Sequence, residues 1–409
     1  MNLSFHIAFR YLFSKKNRTA INIITFISLI GITVGTASLI LVLSVFNGFE
    51  SLIKNIYDDI NPDYLITKKN FQSFSTNSIN YDKILEIVDC NEITEIYDRK
   101  VLIQSIDNEN KIRNEFGILR GINKIYSNEI GYFEKFISKG QNINNKGLCI
   151  IGSVLANSML LNPDIELKKI DVFVPNKNMQ FNSLKKNNFF SKTRLLVSGT
   201  FHTNTEIDNK LIITSMDFFE NSEYSNEISS IEVRTKIKNS NIKESLIKIF
   251  AHDFLIKNKY EQQNFLYRIL KTEKLIIYII LTFILAVGSF NIISSIIMTI
   301  LEKKHDINLL WNLGGQRSSI KNIFIIQGFL ISLFGAIFGI IIGLTICFIQ
   351  EKFGLIKLGN PDAFIISYYP IKIKIIDIIS VVFTVIFLGL LLSIIPSNLI
   401  NYFTKKLNN

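Results

Sequence analysis

Hydrophobic residues are gathered into four long blocks along this chain. Thr19–Phe49, Leu275–Leu301, Asn322–Gln350 and Ile378–Thr404 contain no Asp, Glu, Lys, Arg or His. Each exceeds the roughly 20 residues a helix needs to cross about 30 Å of hydrocarbon. The pattern therefore predicts four transmembrane helices in a fixed order: a polar segment at 1–18, a first span at 19–47, a large domain with a stalk at 48–270 and a second span at 271–301. A polar loop follows at 302–320, then a third span at 321–350, a short outer loop at 351–377, a fourth span at 378–403 and a tail at 404–409.

The domain between the first two spans reads as mixed α/β. Candidate strands are Tyr64–Thr67, Val101–Ser105, Arg113–Gly121, Ile170–Val174, Leu195–Phe201, Lys210–Thr214 and Ser230–Thr235. The last alternates Ile231 and Val233 against Glu232 and Arg234, the period of a half-buried strand. Candidate helices are Gly152–Leu161 and Asn241–Lys257, and Tyr260–Lys274 reads as continuous helix into the second span. The fold class is thus a multi-pass α-helical membrane protein carrying a large mixed α/β domain. Between Val174 and Leu195 lies a polar stretch studded with Met179, Phe181, Leu184, Phe189 and Phe190, which suits a partner-binding projection or a locally packed loop.

Within the spans, Gly31 and Gly35 share one helix face, and Gly335, Gly339 and Gly343 recur every four residues, a spacing that permits close helix contact. Ser289, Asn291, Ser294 and Ser295 should face protein rather than lipid. Pro396 kinks or ends the last helix. In the polar loop, Ile307, Leu310, Trp311 and Leu313 form an amphipathic ridge that Gly314 and Gly315 terminate. Such a helix could dock onto a partner; an ordinary solvated loop tying two spans together fits the same pattern.

The net charge of +11 would suggest nucleic acid in a soluble protein, so its location decides its meaning. Between Gly48 and Tyr267 basic and acidic residues balance. The excess sits in Arg10, Lys15, Lys16, Arg18, Lys303, Lys304, Arg317, Lys321, Lys405 and Lys406. This is positive-inside bias: it puts both termini and the 302–320 loop in the cytoplasm and the large domain outside, and it argues against nucleic acid. The N-terminal segment resembles the basic start of a signal peptide, but the apolar run behind it is too long and lacks a small-x-small cleavage site, so it reads as an uncleaved span. Cys90, Cys149 and Cys347 form no metal-binding pair, although Cys90 and Cys149 could pair in an oxidising compartment. There is no phosphate-binding glycine loop, no HExxH or GxSxG motif, and His6, His202, His252 and His305 are scattered, so no catalytic, metal or cofactor site is expected on this chain.

The order of parts resembles the permease subunits of MacB-type ABC transporters, and particular segments narrow it. ISLIGITVGTASLILVLSVFNGFE (Ile27–Glu50), AVGSFNIISSIIMTILEKKHDINLLWNLGG (Ala286–Gly315) and QGFLISLFGAIFGIIIG (Gln327–Gly343) are similar to the lipoprotein-releasing permeases LolC and LolE. So are GILRGI (Gly117–Ile122), Val174-Pro175, Gly199–Phe201 and Glu206–Asp208. The similarity covers nearly the whole chain.

The resemblance implies an inner-membrane subunit that passes lipoproteins to a periplasmic carrier of the LolA type. A cytoplasmic ATPase dimer of the LolD type would bind the ATP and Mg, and a second permease, identical or homologous, would complete the complex. It makes Glu302, Lys303, Lys304, His305, Asp306, Leu310, Trp311, Gly314 and Gly315 the coupling helix seated on the ATPase. It makes Pro175, Met179, Phe181, Leu184, Phe189 and Arg194 the hook that recruits the carrier, and it places Val45, Phe46 and Asn291 at the lipoprotein cavity. Two departures stand out: only NLINYFTKKLNN follows Pro396-Ser397, and the hook has no proline after Pro175. An FtsX-like signalling scaffold for cell-wall hydrolases and an export permease working with a periplasmic adaptor are the alternatives, the first disfavoured by the size of the outer domain.

Overall fold

The computed structural model describes residues 3–13, 20–88, 90–106, 111–127, 135–141, 147–161, 167–176, 189–219, 226–235, 242–250, 253–357 and 368–398. The chain divides into two units, one formed by Met1–Ile53 with Arg268–Asn409 and the other by Lys54–Tyr267.

In chain order, α1 (Leu3–Phe13) and α2 (Ala20–Ile60) come first. Then follow β1 (Tyr64–Lys68), β2 (Phe74–Ser75), α3 (Tyr81–Ile87), β3 (Cys90–Ile106), β4 (Ile112–Ser127), β5 (Ile137–Gly140) and β6 (Leu148–Gly152). Next are α4 (Ser153–Ser158), β7 (Lys169–Pro175), β8 (Phe190–Phe201), β9 (Leu211–Ser215), β10 (Glu227–Ile228) and β11 (Ser230–Thr235). After α5 (Ile242–Phe250), β12 (Phe254–Asn258) and α6 (Lys259–Gln262), the chain ends with α7 (Asn264–Glu302), α8 (Lys304–Asn312), α9 (Arg317–Phe353) and α10 (Ile375–Ser397).

Among the described residues, four helices are long and apolar enough to cross a membrane: Ile23–Ile60, Asn264–Glu302, Arg317–Phe353 and Ile375–Ser397. Lipid removes the hydrophobic gain of helix association, so close backbone approach matters more than bulk. The glycines supply it. A Cβ at Gly35 would lie 2.6 Å from Leu285 of α7, and Cβ atoms at Gly335 and Gly339 would lie 2.7 Å from Ile32 and 2.5 Å from Thr36 of α2. Gly343 faces Ala37 on the same seam, and Gly328 and Gly389 bring α9 against Ser393 and Ser332 at the α10 contact. Ile7, Ala8, Tyr11 and Leu12 place α1 on the same core.

The second unit is built on two long strands. β3 and β4 pair antiparallel from Glu92↔Ser127 to Ile106↔Ile112. The first half of β3 carries β11, β1 and β12 in sequence, and α3 and α5 join them around Ile84, Ile93, Ile231, Val233 and Leu246. The second half begins a closed ring, β3–β4–β9–β6–β8–β7 and back to β3, in which β4 with β9 and β6 with β8 are the parallel pairs. Closure leaves these six strands no free edge along the ring. Its interior holds Val101, Leu119, Ile151, Val172, Val197 and Ile212.

Several expectations change. Asn241–Lys257 is not one helix: α5 stops at Phe250 and Phe254–Asn258 is a strand against β1, because Ile256 alternates into the core between half-exposed neighbours. The helix into the second span does not run unbroken from Tyr260; α6 ends at Gln262 and Gln263 leaves helical geometry before α7. The first apolar helix continues to Ile60 because Ser51–Ile60 keeps a helix-forming composition beyond the last fully apolar turn. Pro396 lies in the last turn of α10 and ends it rather than kinking it.

The glycine seam makes a direct prediction. Gly339→Leu should destabilise the detergent-purified chain by about 1–3 kcal/mol through overpacking, read as a lowered Tm. Gly288→Ala, which would meet nothing within 4 Å, should leave Tm unchanged.

Candidate coupling and cargo sites

Helix α8 stands between two apolar helices and is closed by tight geometry. Gly314 adopts φ +88, a left-handed conformation that costs other residues energy, and the Gly315 N–H donates to the Leu310 carbonyl at 2.9 Å. The apolar ridge does not point outward as expected. Ile307 is buried, and Leu310 and Trp311 pack on the helix-bundle core, with the Arg317 guanidinium 5.1 Å from the Trp311 ring. Helical periodicity gave an apolar face, but the chain's own α1 and α9 core cover it. The exposed surface is formed instead by Glu302, Lys304, His305, Leu309, Asn312, Leu313 and Gly314, with Leu313 83% exposed. Lys303 and Asp306 face α1: the Lys303 ammonium lies 5.6 Å from the Tyr11 ring and the Tyr11 hydroxyl donates to Asp306 Oδ2 at 3.5 Å. Burial, reinforced by the Asp306 charge, pushes the Tyr11 phenol up to about 12.

The projection between Val174 and Leu195 rises from the ring as a two-stranded ribbon, longer at its base than the strand candidates suggested. β7 and β8 pair from Lys169↔Leu196 to Pro175↔Phe190, and the Asn176 N–H donates to the Phe189 carbonyl at 3.2 Å. Asp171 binds Arg194 at 2.8 Å and Lys192 at 2.8 Å, and these two cations hold its carboxyl below the usual range. Phe189 and Phe190 are both exposed. Met179, Phe181 and Leu184 lie outside the described residues.

In the helix bundle, Val45 and Phe46 are half-buried on α2. Asn291 and Ser294 are exposed, contrary to expectation, whereas Ser289 and Ser295 are buried. The reason is helix phase: Ile292, Ser295, Ile296, Thr299 and Ile300 form the inward stripe, Ser294 falls on the opposite face and Asn291 at the flank of the stripe. Sequence reasoning missed a polar knot where α2, α7 and α10 meet. Lys274 Nζ donates to Asp377 at 2.8 Å and to Asn47 Oδ1 at 2.9 Å, and Asn47 Nδ2 donates to Asp377 Oδ2 at 2.6 Å. A signal existed: Lys274 and Asp377 immediately precede two of the charge-free blocks, on the same side and with opposite sign.

One constellation imitates a hydrolase. Ser153 Oγ and Asp208 Oδ2 both reach His202, but both contact Nδ1, at 2.8 and 3.0 Å. A relay needs opposite ring nitrogens. Asp208 is a turn organiser, accepting from the Thr203 and Asn204 N–H groups. Cys149 is free and buried, and burial pushes its thiol up.

Comparison with known proteins agrees with this architecture. Residues 25–244 match the MacB-like periplasmic core domain and residues 278–404 the FtsX-like permease C-terminal domain. The fold is therefore that of an ABC transporter permease of the MacB type: four apolar helices, with a large domain inserted after the first. Lipoprotein-releasing system transmembrane protein LolC of Buchnera aphidicola subsp. Schizaphis graminum is 32% identical, covering 95% of this chain and 94% of its own. LolC of Neisseria meningitidis serogroup B is 26% identical over 91% of this chain and 90% of its own, and LolE of Haemophilus influenzae 23% identical over 97% of each. The chain belongs to the LolC/LolE family of membrane permeases.

The α1–α8 contact can be titrated. The folded chain holds the Tyr11 proton more tightly than the unfolded chain, so its contribution to stability is complete below pH 10.0 and is lost as pH rises towards about 12. Phenolate absorbance of the wild type minus that of Tyr11→Phe should therefore rise near pH 12. A difference signal centred at pH 10.0 would show that α1 is not docked as described.

Proposed function

We propose that this chain is the membrane subunit of an ATP-driven complex that releases lipoproteins from the inner membrane to a soluble periplasmic carrier. The reading rests on one observation above others: full-length similarity, 32% over 95% of the chain, to a protein named for lipoprotein release. In this reading ATP and Mg are bound by a cytoplasmic ATPase dimer, and this chain hydrolyses nothing. Both termini and α8 lie in the cytoplasm, in keeping with the positive-inside bias.

Each site then has a task. The ATPase grips the exposed side of α8, with Leu309 and Leu313 as anchors and Lys304 and His305 beside them, while Ile307, Leu310 and Trp311 pass the movement into the chain's own core. The β7–β8 ribbon presents Phe189 and Phe190 to the carrier. Val45 and Phe46 line the path of the acyl chains. Exposed Asn291 and Ser294 support a second permease subunit, because polar groups facing lipid are unfavourable and another helix bundle would cover them.

Two experiments test this. Photoreactive side chains at Phe189 and Phe190 in intact cells should capture a lipoprotein carrier; capture of an adaptor or a hydrolase alone would move the function elsewhere. Leu309→Asp and Leu313→Asp should leave insertion and Tm unchanged while lowering lipoprotein release about tenfold, the loss of one interface anchor. Wild-type release in both variants would remove α8 as the coupling element.

A further inference from the structure

The knot of Asn47, Lys274 and Asp377 joins three helices far apart in sequence, and it is fully connected. Asn47 is completely buried and uses both ends of its amide, and both oxygens of Asp377 accept from Lys274. One turn further along the α7–α10 seam, the Tyr278 hydroxyl reaches the Ser380 carbonyl at 3.2 Å and the Thr384 hydroxyl. A charged pair with matched hydrogen bonds, at the edge of hydrocarbon, is strong because separation would leave both charges poorly solvated.

A strap reinforces the knot along the neighbouring turns of α2. The segment after the second loop lies along the helix: the Lys372 N–H donates to the Ser44 carbonyl at 3.0 Å, Lys372 Nζ to Ser51 Oγ at 2.9 Å, and Lys374 pairs with Glu50 at 2.6 Å. Gly48 permits this approach, since a Cβ there would collide with the Pro370 carbonyl. Phe49 meets Tyr369 edge to face, 5.8 Å between ring centroids. Val45 and Phe46 are therefore bracketed by Ser44 and Asn47, each held by a partner from the last quarter of the chain.

We propose that Asn47, Lys274 and Asp377 are positioning residues for cargo transfer: they keep α2, α7 and α10 locked to one another at the margin of their apolar stretches throughout the cycle, so that Val45 and Phe46 hold one orientation towards the cargo. The cargo assignment rests on the lipoprotein-release reading; the lock does not. In this arrangement the helix bundle moves as a body at this level, and the cavity opens on a face of α2 away from α10.

The test uses the full chain in native membranes, with the three native cysteines replaced by alanine and a single cysteine at Val45 or Phe46. The rate of labelling by a membrane-impermeant maleimide reports orientation directly. Asp377→Asn and Lys274→Gln should each change that rate about fivefold or more and lower lipoprotein release in parallel, and the exchanged pair Lys274→Asp with Asp377→Lys should restore both. Unchanged labelling in both single variants would overturn the proposal, whatever the cargo proves to be. A second measurement needs no weakened variant: cysteines at Ser51 and Lys372, joined by a short bismaleimide, should leave release intact if the lock stays closed. Loss of release on joining them would show that this seam opens during the cycle and would equally overturn it.

Discussion

Within a bilayer, apolar side chains gain nothing by leaving lipid for one another, so helices hold together through close approach and through polar groups that find partners. This constraint organises the whole helix bundle. Between α2 and α9 the small residues are Gly335, Gly339 and Gly343 against Ile32, Thr36 and Ala37, and the β-branched side chains opposite fit the space the glycines leave. Several hydroxyls carried inside are returned to their own helix, as Ser28, Thr36, Ser289 and Ser332 are, each donating to the carbonyl four residues earlier, while Ser295 meets Thr25 of α2 and Gln327 of α9 donates to Thr299. Only near the end of the apolar region do side chains with full charges take over the work of association.

The large domain obeys the opposite rule, since water makes apolar burial favourable there. Its two halves share β3 and β4 but have separate cores, one under α3 and α5 and one inside the ring. Arg120 on β4 stands at the join, bound to Asp98 through two nitrogens at 2.7 and 2.8 Å and 3.6 Å from Glu232 on β11. Its neighbouring carboxylates hold the guanidinium pKa above its ordinary value against the cost of burial. A cation bound to the adjacent β3 and reaching β11 one strand beyond it ties these strands together across the boundary between the cores.

Much of this was legible in the sequence because the strongest signals were one-dimensional. A block without charges is long enough to span or it is not, and the four blocks found their helices. Strand Ser230–Thr235 was readable because alternation is itself the physics of a half-buried strand. What could not be read was which partner covers a face. The spacing of Ile307, Leu310 and Trp311 announces an apolar ridge, yet nothing in it says that α1 and α9 occupy that ridge and leave Leu309 and Leu313 free. Asn291 gave the same ambiguity, since one helical step separates it from buried Ile292 and turns it outward. The strand at Phe254–Asn258 was hidden for another reason: Phe254 continues the four-residue spacing of Leu246 and Phe250, and only pairing with β1 decides its conformation.

The β7–β8 ribbon has a further consequence. Both of its strands belong to the closed ring, and at Asn176 and Phe189 they are already hydrogen-bonded neighbours, so the segment between begins and ends at almost the same point in space. Closing such a loop costs only slowly more as it lengthens. Insertions, deletions or wholesale replacement of residues 177–188 are therefore absorbed without disturbing the ring's register. The residues between Asn176 and Phe189 can therefore be exchanged while the frame that carries them stays the same, much as an antibody varies its loops on a constant sandwich.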